Sequence, residues 1–228
     1  METTDDNLEI EGRPNGSRPV RLGGALLGER CHVCAFFSSR DDEYRVLLPF
    51  IKDGLAGGEK IVHTVDPVRL EDHLQRLASA GIDVAASRHN GQFDLFDWTQ
   101  THLLGGRFDQ DRTLSLFGEI KEKAEQQGFP MVRIVSHMEW AGESRTKVDV
   151  LLEYEARANS IWLERSGPAH PVICTYDINR FSGDVIVDIM RTHPMVIIGG
   201  ILQENPFFVP PDRFLDELHH KQRAAQTT

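Results

Sequence analysis

His32 and Cys34 stand two residues apart in the apolar run His-Val-Cys-Ala-Phe-Phe at 32–37. On a strand, that spacing points both side chains to one face. Cys174 lies two residues before Tyr176 in a second apolar run, and His193 follows a stretch of helical pattern. Imidazole and thiolate ligate zinc, iron, copper or haem, and the ligands of such a site can be distant in sequence. His32, Cys34, Cys174 and His193 are therefore the candidate metal or haem set. Two considerations weigh for ordinary core residues instead: cysteine is often buried without any role, and the repeated Cys-x-x-Cys pattern of a structural zinc site is absent. Cys31 and Cys34 have dithiol spacing, but on a strand their side chains face opposite sides.

Glu139 and Asp177, each near the end of an apolar run, supply an acid–base pair if their strands are neighbours. No nucleophile accompanies them: Gly-x-Ser-x-Gly and His-Glu-x-x-His do not occur. The enzymatic alternative is a metal-assisted reaction using Glu139 or Asp177 beside the His/Cys group. Trp140, Tyr176, Phe207 and Phe208 suit either an apolar ligand pocket or plain packing. A phosphate-binding loop needs glycines and a lysine, whereas the first apolar run leads into Ser38-Ser39-Arg40-Asp41-Asp42, where two carboxylates would repel phosphate. Nucleotide hydrolysis is not expected.

The elements that position these residues follow from hydrophobic period. Short apolar runs at 32–37, 60–65, 131–138, 171–176 and 195–198 read as buried strands, with further strands expected at 84–87 and 93–98. Between them, helical spacing predicts a helix that carries Val46, Leu47, Phe50, Ile51 and Leu55, with N-cap choices across Ser38 to Asp42. It also predicts helices over 67–80, 111–127, 146–166 and 182–192, with a closing helix over 212–222. Gly54, Gly57-Gly58, Gly81 and Gly128 punctuate the alternation. Strand–helix–strand repetition indicates an α/β fold with a mainly parallel central sheet flanked by helices. At 228 residues one domain accounts for the chain: a leader over 1–20, a domain over 21–222 and a tail over 223–228.

The net charge of −10, with Lys and Arg scattered singly, argues against direct nucleic-acid contact. No apolar signal segment opens the chain, and the longest apolar stretch, 195–202, is far short of the roughly 20 residues that span a bilayer. With three cysteines as well, a cytoplasmic protein with reduced thiols and no membrane partner is expected.

Several segments carry a resemblance in consistent order: His32-Val-Cys34-Ala-Phe36-Phe37, Leu48-Pro49-Phe50 with Gly54-Leu55, and Gly58-Glu59 leading into Ile61-Val62. Arg133-Ile134 with Met138-Glu139-Trp140, Ile173-Cys174-Thr175-Tyr176-Asp177, His193-Pro194 and Asn205-Pro206-Phe207 continue it. Together, over about residues 21–215, the chain resembles the methanogen/methylotroph DcmR sensory (MEDS) family. The resemblance implies a KaiC/RecA-like three-layer core with a degenerate nucleotide site, sensing small hydrocarbon derivatives such as halogenated or methylated compounds. It also marks His32, Cys34, Glu139, Cys174, Tyr176, Asp177, His193 and Asn205, with Trp140 beside them, as a candidate ligand pocket. No helix-turn-helix or kinase pattern is evident, so output is expected to pass through a protein partner or a homo-oligomer.

Overall fold

The computed structural model describes residues 18–142, 145–163 and 170–226. Most of the expected leader, 1–17, and the end of the helix expected over 146–166 lie outside them. In chain order the elements are β1 (Val20–Leu22), β2 (Ala25–Leu27), β3 (His32–Phe37), α1 (Arg40–Ala56), β4 (Lys60–Val65), α2 (Leu70–Ser79), α3 (Val84–His89) and β5 (Phe93–Asp97). They continue with α4 (Gln110–Gln126), β6 (Val132–His137), α5 (Arg145–Leu163), β7 (Val172–Asp177), α6 (Gly183–Arg191), β8 (Met195–Ile198), β9 (Ile201–Glu204) and α7 (Pro211–Gln226).

The main sheet has seven strands in the order β5-β4-β6-β7-β3-β8-β9, all parallel except the β8–β9 pair. This is the α/β architecture expected from the sequence. Strands β3, β4 and β6 are buried at every position, as parallel strands covered on both faces must be. One face packs on α4, α5, α6 and α7 through residues such as Phe117, Leu151, Ile189 and Phe214. The other packs on α1, α2 and the β1–β2 hairpin through Phe50, Ile51, Leu77 and Leu27. Three layers result.

The structure corrects the sequence reading at several points. Residues 84–87 belong to a helix, not a strand: Asp83 accepts a hydrogen bond from the Ala86 N–H at 2.9 Å, and this cap with Ala85 and Ala86 outweighs the β-preference of Val84. The hairpin β1–β2 and the edge strand β9 were not anticipated. Gly199-Gly200, just after the run 195–198, has φ of 60° and 82° and turns the chain straight back into β9. Helix α7 continues through 223–226, where a tail was expected.

Arg133 accounts for one of the segments that carry the resemblance. Its side chain is fully buried and reaches from β6 under the end of α1, bonding Glu59, the Phe50 carbonyl at 2.8 Å and Asp53 at 2.9 Å. Gly54 makes room for it: a Cβ there would lie 2.8 Å from Arg133 Cδ. Among the described residues no helix is long and apolar enough to cross a membrane.

Candidate functional site

The sheet register brings three of the four candidate ligands together. His32 opens β3, Cys174 sits mid-strand on neighbouring β7, and His193 precedes β8 on the other side of β3. All three face α5. There the helix presents Glu155, one turn from Leu151 and Asn159, and none of these three is measurably exposed. Asn159 ties the helix to the turn between α6 and β8, donating to the Thr192 carbonyl at 3.0 Å.

Glu155 is the hub. Its Oε2 lies 3.3 Å from His32 Nε2, 3.5 Å from His193 Nε2 and 3.7 Å from the Cys174 sulfur, and that sulfur lies 3.5 Å from His32 Nε2. Its Oε1 accepts the Tyr176 hydroxyl at 2.5 Å. Burial alone would raise this carboxyl, but His193 and His32 reverse the effect and hold it well below the ordinary range. In turn, burial and the neighbouring His193 lower His32, against the pull of Glu155 and Asn159. Burial, reinforced by Glu155, pushes the Cys174 thiol up, so without a cation it stays protonated. The four side chains are all buried, and their ligand atoms lie within 4.8 Å of one another.

Cys34 stands beside this group, not in it: its thiol points to the Met195 carbonyl at 3.6 Å. Asn205 acts on the backbone, donating to the carbonyls of Met190 at 2.6 Å and His193 at 2.8 Å, which fixes the turn that carries His193. Glu155 escaped the sequence reading because it interrupts a helix otherwise read by its apolar residues.

A cavity of about 20 Å³ adjoins the cluster. His32, Glu155 and Cys174 form its polar wall, and Leu114, Phe117 and Tyr154 its apolar one, with Gly118 of α4 at its edge. Behind it lies an aromatic nest in which His102 packs against Trp140 at 5.4 Å, Phe117 at 5.7 Å and Tyr154 at 5.9 Å between ring centroids. Trp140 Nε1 and His102 Nε2 are buried there with no hydrogen-bond partner among the described residues. Phe207, by contrast, is exposed and outside this interior.

Glu139 and Asp177 belong to a different place, the crevice at the carboxyl ends of the strands. Arg69 spans it, with Asp66 and Asp177 carboxylates at 3.7 Å and Glu139 at 4.0 Å. Burial raises the Glu139 carboxyl, with Glu43 adding to the effect. In the position of a phosphate loop, Ser39 caps α1 by accepting from the Asp42 N–H at 3.2 Å, and Arg40 is paired with Glu43. Neither Glu139 nor Asp177 makes an ion pair or hydrogen bond with the His/Glu/Cys cluster among the described interactions.

A family model described as the methanogen/methylotroph, DcmR sensory domain matches residues 31–194. Among curated proteins, the transcriptional repressor DcmR of Methylorubrum extorquens (strain DSM 6343 / CIP 106787 / DM4) is 25% identical over 178 residues, covering 76% of this chain. The match spans 62% of that repressor's length. Among solved structures, a KaiC-like protein from the hyperthermophilic archaeon Pyrococcus horikoshii OT3 superposes with a TM-score of 0.50 at 17% identity, covering 73% of this chain and 69% of that one. The fold is accordingly RecA/KaiC-like.

Proposed function

Because this chain belongs to the methanogen/methylotroph DcmR sensory family, we propose that its sensory role is exercised by an organic molecule of a few heavy atoms held in the interior cavity beside Glu155. The carrying observation is that cavity, walled on one side by His32, Glu155 and Cys174 and on the other by Leu114 and Phe117. A single water needs roughly 10–15 Å³ of such space, so about 20 Å³ suits a very small guest. Anything larger requires α4 to move away from the sheet. Polar groups converging on one side of an apolar hollow are what a small ligand site requires.

The hydrocarbon derivatives implied by the sequence resemblance are of this size class. A guest shifts a conformational equilibrium only by binding one state better than the other. Here the two states differ in the seating of α4 against α5 and the sheet, and the outer faces of these helices pass the change to a protein partner or a second copy in the cytoplasm. Its relative being a transcriptional repressor, transcriptional control is the output we assign. Nucleotide hydrolysis has no part in the scheme.

The test is a ligand-observed NMR screen of methanol, methylamine, formaldehyde and halomethanes against the wild-type chain and Gly118→Leu. A Cβ at Gly118 meets nothing within 4 Å, so the larger side chain enters open space at the cavity edge. Saturation transfer to at least one compound in wild type, lost in a folded Gly118→Leu, is expected. Transfer equal in both proteins, or none at all, would sink the proposal.

A further inference from the structure

We propose that His32, Glu155, Cys174 and His193 form a closed tetrahedral site for a divalent cation of the zinc class. This goes beyond the sensory reading and does not rest on it. The geometry comes first. Metal–ligand bonds of about 2.0–2.3 Å in a tetrahedron place neighbouring ligand atoms roughly 3.3–3.8 Å apart. Four of the six separations in the cluster are 3.3, 3.5, 3.5 and 3.7 Å, and all six lie within 4.8 Å. Two imidazoles, one carboxylate and one thiolate are a donor set suited to zinc(II) and its cobalt(II) stand-in.

Hydrogen bonding points the same way. His193 Nδ1 lies 3.0 Å from the Ile189 carbonyl and 2.9 Å from Thr192 Oγ1. With Nδ1 turned to that carbonyl, Nε2 faces Glu155 Oε2 at 3.5 Å, which is the nitrogen and the direction a ligating imidazole would use. A divalent cation between this nitrogen and the carboxylate would take the place of any proton the two share and bind both. Tyr176 holds the other Glu155 oxygen, as an outer partner that orients a ligating carboxylate does.

The charges balance. On binding, Cys174 releases its thiol proton to solvent and becomes a thiolate, and the imidazoles bind as neutral donors. The +2 of the cation then equals the summed charge of thiolate and carboxylate, leaving a neutral centre in an apolar core. With four protein ligands no position remains for a reacting water, so the site is structural. It pins α5 to β3, β7 and the turn before β8.

Cobalt(II) is titrated into the chelator-stripped full-length chain, followed by its absorption spectrum, with zinc as competitor. One equivalent is expected to produce a thiolate-to-cobalt charge-transfer band and strong tetrahedral ligand-field bands, both erased by zinc. Cys174→Ser should lose the charge-transfer band, whereas Cys34→Ala should retain it. Should Cys174→Ser not fold, zinc-edge X-ray absorption on wild type decides instead, with one sulfur and three nitrogen or oxygen neighbours expected. No tight equivalent, a weak octahedral spectrum, a sulfur-free shell, or loss of the band in Cys34→Ala but not in Cys174→Ser would overturn the site. The titration contains no organic ligand, so failure of the small-molecule screen leaves it intact, and the reverse also holds.

Discussion

Tyr176 donates its hydroxyl to Glu155 Oε1 at 2.5 Å, which leaves Oε2 to His32, His193 and Cys174. One side chain thus decides which oxygen of a buried carboxylate faces the cluster. Burial pushes the Tyr176 phenol well up, so it remains a donor across the accessible pH range.

Tyr176→Phe should leave Oε1 buried and unpartnered, at a cost of about 1–3 kcal/mol in urea unfolding. Cobalt affinity should drop roughly 10–100-fold, the usual effect of losing an orienting outer partner. Unchanged affinity together with lost stability would reduce Tyr176 to a packing residue.

Gly118 lies inside α4 with open space where its Cβ would be. Gly118→Ala should therefore stabilise the protein by about 0.5–1 kcal/mol, because glycine gives up more backbone freedom than alanine on entering a helix. Thermal denaturation without ligand reads this directly, and a destabilised variant would mean the cavity edge is tighter than described.

Acid sensitivity should come from buried histidines. Burial lowers His102 from 6.5 to about 4 and His73 from 6.5 to about 3. Between those folded values and 6.5 the unfolded chain binds more protons than the folded one, so stability rises with pH through this window and is lost on acidification. Each such histidine contributes a slope of about 1.4 kcal/mol per pH unit where the difference is one full proton. His102→Phe, which keeps an aromatic ring against Trp140 and Phe117, should flatten the profile between pH 4 and 6.5. Urea midpoints measured across that range check it, and an unchanged slope would refute the assignment.

Arg133→Met should cost roughly 3–5 kcal/mol, since it strands the buried Glu59 carboxylate without its partner. Adding Glu59→Leu should recover part of the loss, because removing both charges of a buried pair is far less damaging than removing one. A double-mutant cycle in urea measures the coupling, and simple additivity would show that the pair is not a unit.

What the sequence could disclose follows from how local each signal is. Strand β3 was legible because the five apolar residues 33–37 in a row have few other homes. His32, Cys174 and His193 were legible as soft ligands, but their meeting depends on β3 lying between β7 and β8, a matter of register beyond the reach of spacing. Glu155 was hidden because a lone carboxylate in a helix normally faces water. Its offset of four residues from both Leu151 and Asn159 was the available signal, and it shows only once their burial is known. Strand β9 was obscured by Gly199-Gly200, since two glycines suit both a strand end and a hairpin turn. Cys34 and Cys174 are paired in the sheet register, yet a difference in side-chain direction keeps one thiol at the Met195 carbonyl and brings the other to Glu155.

The most direct test of the interior sensory site is an amide chemical-shift map of the ¹⁵N-labelled chain with any compound that binds in the screen. Shifts concentrated at Leu114, Phe117, Gly118, Tyr154, Glu155 and Cys174 are predicted, the residues that surround the cavity. Shifts concentrated instead at Ser38 to Glu43, Arg69 and Asp177 would contradict the account, because they would place the ligand in the crevice at the strand ends.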